Sequence, residues 1–488
     1  MLDTKPRPEK VDEKLALIGG QWVRAVEGET LPVIDPSTGK SYATVQRCKA
    51  EDVNLAIRGA RAATFAWQRV QPLERGRILR KVATLLRDNI VELTEIEALD
   101  TGKPRAQAAF DIEVAIRYFD YYAGLGGKID GYTIPFDSNH QAFTIREPHG
   151  VTAHVLPWNY PAQMFARDVA PALVMGNAVV VKPAEEACQS AIRMAELCLD
   201  AGVHPGALSI VTGLGEEAGA ALTSHPGIDH ISFTGSPEVG TIIQATAARN
   251  NVGCTMELGG KSPQIVFADA DLERAVPAIV ASIVNSAGQT CSAGSRLLVE
   301  ASAYDRIVTK VADAFSGVRA GVWHKNLQCG PLINDIQQKR VQRFIDAARS
   351  DNIPLIASGR IDEEADPAGY FVTPSLFGPV PESNSLAHEE VFGPVLSVQP
   401  FEDESDAIRI ANSTEYGLVA YIWTRDGGRQ LRLAKNVQCG QVFVNGPGAF
   451  GNVELPFGGV KKSGYGREKG LAAIEEYSVL KTILIHHG

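Results

Sequence analysis

Residues 177–213 read NAVVVKPAEEACQSAIRMAELCLDAGVHPGALSIVTG, and this stretch decides the fold. It begins with a short β-branched run that ends at Pro183, and it closes with a second run that ends at Gly213. Between these runs lies a helix-length segment whose apolar residues recur at spacings of three and four. A strand, a helix and a strand in this order predict two parallel strands joined by a helix.

The same alternation continues on both sides of this stretch. GVTAHVLPW at 150–158 and HISFTG at 230–235 are further short β-branched runs that end in Gly or Pro. A second alternating region extends from PQIVFADA at 263–270 to GQVFVNGPG at 440–448. Together the two regions predict an α/β protein built on doubly wound parallel sheets.

The two ends of the chain show other patterns. Residues 51–124 carry helical periodicity, and Gly102 is the predicted C-cap of its second helical segment. The chain closes with SVLKTILIHHG at 478–488, which predicts a strand that pairs with another element or with another subunit.

The composition excludes several classes of function. The chain has 488 residues, 45% of them hydrophobic, and a net charge of -10. Because no basic patch dominates, we expect no nucleic-acid partner. The N-terminus lacks the apolar core of a secretory signal, and no apolar run approaches the ~18 residues of a membrane span, so we expect no membrane partner.

The cysteines are spaced irregularly. All seven lie outside any CxxC pattern, which argues against a disulfide framework and against a cysteine-rich zinc site. The histidines include no HExxH pair, and we therefore expect no metal. This usage favours a reducing compartment, and we predict a cytoplasmic protein.

Several candidate ligand-binding residues follow the predicted strands, where a parallel sheet binds its ligand. Lys182 ends one strand and is suited to a hydroxyl or phosphate, although a solvated surface lysine fits the spacing equally well. Gly215 belongs to a GxGxxxG turn that differs from the dinucleotide fingerprint and also suits an ordinary turn. Gly235 and Ser236 close a strand and open a helix, whose N-terminus favours phosphate.

Two further residues have the chemistry of catalysis. Cys291 lies among small and polar residues in VNSAGQTCSAG at 284–294, which suits a nucleophile, whereas most free cysteines are inert core residues. Glu257 lies in MELGGKSP at 256–263. Burial in apolar surroundings raises the pKa of a carboxyl and suits it to general-base work. The alternative for Glu257 is a structural hydrogen bond to the glycine backbone.

Taken together, the motifs resemble the aldehyde dehydrogenase superfamily, in its NAD(P)-dependent branch that does not acylate coenzyme A. The resemblance covers the chain from about residue 15 to its end. The motifs occur in the family's order: PWNYP at 157–161, VVVKPAEEA at 179–187, FTGSPEVG at 233–240, MELGGKSP at 256–263, AGQTCSAGSR at 287–296, HEEVFGPV at 388–395 and PFGGVKKSGYGRE at 456–468.

The resemblance implies an architecture of three parts. A Rossmann-like NAD-binding domain would comprise residues 1–126 and 150–256, and an α/β catalytic domain residues 257–459. A small β-flap of residues 127–149 and 460–488 would assemble homodimers or homotetramers.

The resemblance also implies a catalytic role for three residues. Cys291 would attack the aldehyde carbon and give a thiohemiacetal and then a thioester. The side-chain amide of Asn159, with the backbone N–H of Cys291, would hold the oxyanion, and such donors are each worth ~3 kcal/mol in the transition state. Glu257 would activate the water that releases the acid. Relatives that acylate coenzyme A lack this glutamate, so its presence favours hydrolysis.

Cofactor residues are implied in the same way. Lys182 and Glu185 would hold the adenosine ribose. Since a carboxylate accepts a hydrogen bond from a 2′-hydroxyl and repels a 2′-phosphate, we expect NAD rather than NADP. Gly235 and Ser236 match the pyrophosphate end, and Glu390 and Phe392 match the contacts to the nicotinamide ribose. The full predicted cofactor set is Trp158, Lys182, Glu185, Gly215, Gly235, Ser236, Glu390 and Phe392.

The implied pocket admits a small-molecule aldehyde. Arg167 stands where relatives that oxidise apolar aldehydes keep an aromatic residue, and it would bind a substrate carboxylate bidentately. We therefore predict a polar or carboxylate-bearing aldehyde. Succinic semialdehyde dehydrogenases share this arginine but carry a second one at the position of Asn285. The predicted pocket residues are Tyr160, Met164, Arg167, Asn285, Thr290, Ser292 and Phe450.

Other readings of the pocket and of the chain stay open. Arg167 would instead be structural if it paired with a carboxylate such as Asp168 or Glu454. Tyr160 and Phe450 equally suit an aromatic or medium-chain aliphatic aldehyde. A non-catalytic binding homologue would be expected to lose Cys291 or Glu257. A thiol esterase would turn over without NAD.

Overall fold

The computed structural model describes residues 12–448 and 451–488, and two large sheets with helices on both faces dominate them. Its helices are α1 Ala50–Arg69, α2 Pro72–Asp88, α3 Ile90–Thr101, α4 Arg105–Ala123, α5 Pro161–Met175, α6 Gln189–Ala201, α7 Ala220–Ser224, α8 Pro237–Ala248, α9 Leu272–Val284, α10 Tyr304–Ser316, α11 Asp335–Ser350, α12 Ser385–His388, α13 Glu404–Asn412, α14 Gly427–Asn436 and α15 Ala472–Glu476.

The strands alternate with these helices along most of the chain. They are β1 Asp12–Lys14, β2 Ala16–Ile18, β3 Gln21–Val23, β4 Thr30–Asp35, β5 Lys40–Gln46, β6 Thr133–Ile134, β7 His140–Pro148, β8 Val151–Val155, β9 Ala178–Lys182, β10 Leu208–Ile210, β11 His230–Thr234, β12 Gly253–Glu257, β13 Pro263–Val266, β14 Arg296–Glu300, β15 Arg319–Ala320, β16 Leu355–Ser358, β17 Arg360–Ile361, β18 Ser375–Phe377, β19 Val395–Phe401, β20 Val419–Trp423, β21 Gln441–Val444, β22 Gly464–Tyr465 and β23 Ser478–His486.

The first large sheet has the strand order β22-β12-β11-β8-β9-β10-β2-β3. Its centre, from β12 to β10, is parallel, and the strand–helix–strand prediction for residues 177–213 is confirmed by β9, α6 and β10. Every residue of β9 is buried, because helices cover both faces of a parallel sheet. β22 lies antiparallel beside β12, so the C-terminal segment predicted for assembly also completes this sheet.

The second large sheet has the order β16-β18-β19-β14-β13-β20-β21, and it is parallel from β18 to β21. It arises from the second alternating region of the sequence. Both β12 of the first sheet and β13 of the second come from one short stretch, and the loop between them carries Gly259 and Gly260. The ends of the two sheets therefore lie side by side, and the site forms where they meet.

A third sheet joins the two segments that the sequence assigns to assembly. β7 pairs antiparallel with β23 from His140↔His486 to Pro148↔Ser478, and β6 adds to the other edge of β7. Large apolar side chains on this sheet are exposed: Tyr132, Ile134, Val479, Leu480, Leu484 and Ile485.

The helical N-terminal region is also as predicted. Residues 51–124 fold into α1 to α4, and Gly102 ends α3 with a φ of 73°, a left-handed conformation that glycine adopts without steric cost. Among the described residues, none of the helices has the length and hydrophobicity that crossing a membrane requires.

Arg296, the first residue of β14, ties the second sheet to α13. Its guanidinium is buried and donates to three backbone carbonyl oxygens: Lys261 at 2.9 Å, Ile410 at 2.9 Å and Ala411 at 2.9 Å. Two of these carbonyls lie in the last turn of α13, where a cation is favourable. Burial lowers the pKa of Arg296 to about 10, which still leaves the group charged at pH 7.

We expect Arg296→Lys to destabilise the protein, because a lysine ammonium has no fork that reaches three carbonyls at once. The predicted loss is about 2–4 kcal/mol of unfolding free energy, from one or two lost charged hydrogen bonds. Thermal and urea unfolding measure it. Arg306→Lys is the matched control, since Arg306 donates to the Ala268 carbonyl at an exposed position. Equal stability of the two variants would contradict the prediction.

Candidate active site

Cys291 lies where two cavities meet. One cavity, of about 360 Å³, is lined by aromatic rings and is called here the aromatic cavity. The other, of about 310 Å³, lies at the carboxyl ends of β11 and β12 and is called the sheet-end cavity. Cys291 lines both of them, so its sulfur is accessible from two sides. The rings of the aromatic cavity are Phe110, Tyr160, Tyr421, Phe443 and Phe457.

A tight loop holds Cys291 in this position. After α9 the backbone makes a turn in which Ser286 and Ala287 have φ values of 49° and 52°, and Gly288 has a φ of 72°. A Cβ atom on Gly288 would collide with the backbone of Gly393. The glycine in this stretch of sequence predicts a close approach of the backbone to another group. At Gly288 that group is the backbone of the loop that contains Gly393.

The electrostatic surroundings of Cys291 are mixed. Burial raises the pKa of its thiol to about 12, and the charges of Glu257 and Glu390 act in the same direction. Arg167 is the strongest opposing influence, followed by Lys469. At pH 7 the group is therefore a thiol, and these cations favour its conversion to the thiolate.

Asn159 reaches the loop of Cys291 from the turn between β8 and α5. Its Nδ2 donates to the backbone carbonyl of Gln289 at 2.9 Å. A carboxamide nitrogen carries two hydrogens, so one N–H stays available for a second acceptor. Its Oδ1 is buried and has no hydrogen-bond partner within residues 12–448 and 451–488. Asn159 therefore both fixes the loop and offers a donor to the sheet-end cavity, which it lines.

Glu257 ends β12 and lines the sheet-end cavity together with Cys291. Both carboxylate oxygens are buried, and neither has a hydrogen-bond partner among the described residues. Burial raises the pKa of Glu257 well above its ordinary value, and Glu468 adds to the shift while Arg167 opposes it. The raised pKa expected from the sequence is thus confirmed, and a carboxyl in this state is suited to proton transfer.

Arg167 lies in α5, and its guanidinium is committed to carboxylates of the protein. Its Nε pairs with Glu468, its Nη2 lies 3.7 Å from Glu257 Oε2, and its side chain stacks on the ring of Phe457 at 4.6 Å. The residue is only 3% exposed, although it lines the aromatic cavity. Burial raises the pKa of Glu468 to about 7, and Arg167 counteracts that shift.

These contacts correct one expectation from the sequence. The two carboxylates suggested as structural partners of Arg167 bind elsewhere, since Asp168 contacts His154 Nδ1 at 3.2 Å and Glu454 lies 3.7 Å from Arg117. Glu468, the observed partner, is the last residue of the quoted motif PFGGVKKSGYGRE. A signal for it was therefore present, although no pattern in the sequence connects it with Arg167.

Five other predicted pocket residues line the aromatic cavity with Arg167, and two of them are hydrogen-bonded to each other. The hydroxyl groups of Tyr160 and Thr290 lie 2.7 Å apart. Phe450 lies outside the described residues. The five predicted residues on the cavity wall are Tyr160, Met164, Asn285, Thr290 and Ser292.

Sequence reasoning missed three charged residues of this cavity, Lys103, Asp111 and Lys469, and the first two form an ion pair. Lys103 Nζ lies 2.5 Å from Asp111 Oδ2 and 3.8 Å from the centre of the Tyr160 ring. Both charged residues are buried and both line the cavity. They belong to the N-terminal helical region, where charged residues at helical spacing usually form a solvated face.

The sheet-end cavity brings together five of the predicted cofactor residues. Glu390 Oε1 accepts a hydrogen bond from the Gly260 backbone at 2.9 Å, and the Phe392 ring packs edge-on against Trp158 at 5.4 Å. Ser236 caps α8, its Oγ accepting from the Val239 backbone at 3.3 Å. The five are Trp158, Gly235, Ser236, Glu390 and Phe392.

The other three predicted cofactor residues lie outside the lining of this cavity. Lys182 is the last residue of β9, and its Nζ pairs with Glu185 Oε2 at 2.6 Å. Gly215 opens a single π-helical turn that leads into α7. Ring walls, the N-terminus of α8 and the carboxylate of Glu390 in the sheet-end cavity together fit a nucleotide cofactor. No cluster of His, Cys, Asp and Glu side chains suited to a metal ion occurs in the described part of the chain.

Comparisons with known proteins give a consistent result. The sequence model of the aldehyde dehydrogenase family matches residues 22–483. Human retinal dehydrogenase 2 is 40% identical over 474 residues, which cover 96% of this chain and 91% of that protein. A solved structure from Burkholderia cenocepacia, assigned as an aldehyde dehydrogenase, is 53% identical with a TM-score of 0.96, and the match covers 97% of this chain and 100% of that one. The indole-3-acetaldehyde dehydrogenase AldA of P. syringae, solved with NAD⁺, is 36% identical with a TM-score of 0.95 over 98% of this chain and 97% of that one.

The ion cluster around Arg167 leads to a stability prediction. Glu468→Gln keeps the shape of the side chain but leaves the buried guanidinium with Glu257 alone, at 3.7 Å. Since removing one partner of a buried ion pair leaves an uncompensated charge, we expect a loss on the order of 3 kcal/mol. Thermal unfolding measures it against the control Glu454→Gln, which removes an exposed carboxylate 3.7 Å from Arg117. The two variants should differ clearly, and a Glu468→Gln protein that melts like the control would refute the prediction.

Proposed function

Because the chain belongs to the aldehyde dehydrogenase family, we propose that it oxidises an aldehyde to the carboxylic acid with NAD through a covalent intermediate on Cys291. Members of this family are oxidoreductases, and a complex with NAD⁺ occurs among the similar structures. The observation that carries the mechanism is the position of Cys291, which lines both cavities. An aldehyde in the aromatic cavity and a cofactor in the sheet-end cavity would approach the same sulfur from opposite sides.

The first step forms a bond between the Cys291 sulfur and the aldehyde carbon. The carbonyl oxygen becomes an oxyanion, for which the free N–H of Asn159 and the backbone N–H of Cys291 are the proposed donors. Arg167 and Lys469, the cations that act on Cys291, favour the thiolate that this step consumes.

Bound NAD would supply the acceptor for the hydride that the aldehyde carbon loses, which leaves a thioester on Cys291. Trp158, Glu390 and Phe392 would hold and orient the nicotinamide end against the sulfur. Glu257 then accepts a proton from the water that attacks the thioester carbon, and the acid leaves as the thiol re-forms. The raised pKa of Glu257 suits both taking up this proton and releasing it.

We propose a preference for NAD over NADP. Glu185 is the reason, because its carboxylate accepts from a ribose hydroxyl and repels a 2′-phosphate. Lys182 supports this arrangement, since its buried ammonium holds Glu185 at 2.6 Å. The positive charge of Lys182 is thus already matched by the carboxylate of Glu185 and is not available to attract a 2′-phosphate.

For the substrate we propose a polar or carboxylate-bearing aldehyde. The positive charges on the wall of the aromatic cavity, from Lys103, Arg167 and Lys469, support this class. A second candidate is an aromatic or medium-chain aliphatic aldehyde, which the five rings of the same wall favour. The relatives include enzymes named for retinal and for indole-3-acetaldehyde, so the family as a whole accepts varied carbon skeletons.

We further propose that the protein assembles as a homodimer or homotetramer through the sheet of β6, β7 and β23. Its exposed apolar side chains support this proposal, since such patches mark contact surfaces. A cytoplasmic location is proposed from the cysteines, all seven of which are free.

Glu257→Gln should separate hydride transfer from acid release. Without the base, the thioester accumulates, so rapid mixing should give a burst of NADH equal to the active sites, followed by turnover slowed at least ~100-fold.

Wild-type turnover should increase with pH as the raised pKa of Glu257 is passed, because the base works only when deprotonated, and the variant should lose this dependence.

Cys291→Ala is the control for this experiment. It should form no NADH but still bind NAD, which fluorescence titration measures. NADH formation by Cys291→Ala would disprove the covalent mechanism, and a Glu257→Gln enzyme that turns over normally would disprove the role of the base. The same proteins exclude the two rival classes, because a binding homologue gives no NADH at all and a thiol esterase hydrolyses nitrophenyl acetate without needing NAD.

Glu185→Gln should weaken the preference for NAD. We expect kcat/KM for NADP relative to NAD to rise about tenfold, the effect of 1.4 kcal/mol, because the variant no longer repels a 2′-phosphate. Glu196→Gln is a matched control, since Glu196 also pairs with a cation three residues away, Arg193, at 2.8 Å. An unchanged cofactor ratio in Glu185→Gln would show that this carboxylate does not contact the ribose.

A further inference from the structure

Lys469 is a charged residue of the aromatic cavity to which the proposed mechanism assigns no contact with the substrate or the cofactor. It follows Glu468, and its backbone has a left-handed φ of 63°. Paired backbone hydrogen bonds between Phe457 and Glu468, at 2.7 and 2.8 Å, fix this segment against the cavity wall. The Lys469 side chain lines the cavity, its Nζ lies 4.8 Å from the centre of the Phe457 ring, and the residue is only 8% exposed.

The other two cations of this cavity already have anionic partners. Lys103 pairs with Asp111, and Arg167 pairs with Glu468 and lies near Glu257. For Lys469, in contrast, the structure shows no carboxylate within 4.0 Å of Nζ in residues 12–448 and 451–488. A buried ammonium without an anion is costly, and it is normally retained only where an anion arrives with a ligand.

The electrostatic surroundings of Lys469 also favour the binding of an anion next to it. Burial lowers the pKa of Lys469 to about 7, and Arg167 acts in the same direction. The negative groups that act on it, Cys291, Glu468 and Glu257, do not restore the ordinary value. The protein's own groups therefore compensate the ammonium poorly, and an added negative charge would be favourable next to it.

We propose that Lys469 binds the carboxylate of an aldehyde-acid substrate in the aromatic cavity, and that it, rather than Arg167, selects carboxylate-bearing aldehydes. This inference rests on the proposed function. The apolar part of the substrate would pack on the Phe457 ring and its neighbours, and the substrate carboxylate would pair with the Lys469 ammonium. The role that the sequence assigned to Arg167 is thus assigned to Lys469, because Arg167 is already paired with Glu468.

The test compares aldehydes that are matched in size and differ in charge. The aliphatic pair is 4-oxobutanoate and pentanal, and the aromatic pair is 4-carboxybenzaldehyde and 4-methylbenzaldehyde. With the full-length enzyme and saturating NAD, Lys469→Met should raise KM for the carboxylate members about 10- to 100-fold, the effect of losing a charge-assisted hydrogen bond. For the neutral members, KM should stay within about threefold. A fall of kcat caused by the loss of a positive charge near Cys291 should be shared by both members of a pair, so it cancels in the ratio of their kcat/KM values.

Two further variants control the result. Lys469→Arg keeps the positive charge and should recover most of the discrimination. Lys462→Met removes an exposed lysine of the same segment, paired with Glu415 at 2.7 Å, and should change nothing. Binding of NAD, measured by fluorescence, establishes that each variant is folded.

The wild-type enzyme gives an independent test through pH. The ratio of kcat/KM for 4-oxobutanoate to that for pentanal should fall as pH rises through the pKa of Lys469, because only the protonated amine attracts the carboxylate. Arg167, Glu468, Glu257 and Cys291 face the same region, and Glu468 and Glu257 gain negative charge as pH rises, which also disfavours a carboxylate. The contribution of Lys469 is therefore the difference between the pH profile of this ratio in the wild type and that in Lys469→Met.

Several outcomes would overturn the inference. One is an unchanged carboxylate-to-neutral ratio in Lys469→Met, and another is a wild-type ratio that does not vary with pH. An equal fall of kcat for both members, with an unchanged ratio of their KM values, would show that Lys469 acts only on the chemistry of Cys291 and not on substrate selection. Failure of the proposed function is distinguishable, since the wild-type enzyme would then form NADH from none of the four aldehydes.

Discussion

The buried ion cluster of Arg167, Glu257 and Glu468 is the constraint on which the rest of the site depends. Its members come from α5, from the end of β12 and from the segment that follows β22. A guanidinium in the core is tolerable only with anions beside it, so the C-terminal segment has to return to the first sheet before the site is complete. The antiparallel pairing of β22 with β12 and the backbone bonds between Phe457 and Glu468 bring it there.

The same cluster gives the two central groups of the site their acid–base character. Burial alone would keep both Glu257 and Cys291 protonated, since it disfavours every charged form. Arg167 opposes that shift at both residues, and so makes the deprotonation of each less unfavourable. The arrangement also explains why Arg167 is a poor ligand for a substrate carboxylate. A substrate carboxylate would compete with Glu468 for the guanidinium, and it would weaken the influence by which Arg167 favours the deprotonated form of Glu257.

The sequence predicts the local features of this molecule well and the distant contacts poorly. Strand, helix and turn positions follow from period and from Gly and Pro, as β9, α6 and Gly102 illustrate. Cys291, Glu257 and Asn159 are recognisable because each lies in a short contiguous motif. The pairing of Arg167 with Glu468 had no such signal, because it joins residues hundreds of positions apart. Nor does a sequence indicate left-handed backbone at Ser286 and Ala287, where tertiary contacts override the preference of those side chains.

Lys469 shows what a motif-based reading leaves out, since the motif that contains Glu468 ends one residue before it. Its position also answers an electrostatic problem that a carboxylate-bearing substrate creates. A negative charge entering the aromatic cavity would raise the pKa of the Cys291 thiol further and so oppose formation of the nucleophile. A cation that lies in the wall and has no carboxylate partner among the described residues can neutralise that charge without taking Arg167 from Glu468. Substrate recognition then depends on Lys469, and activation of the nucleophile depends chiefly on Arg167, the strongest cation that acts on Cys291.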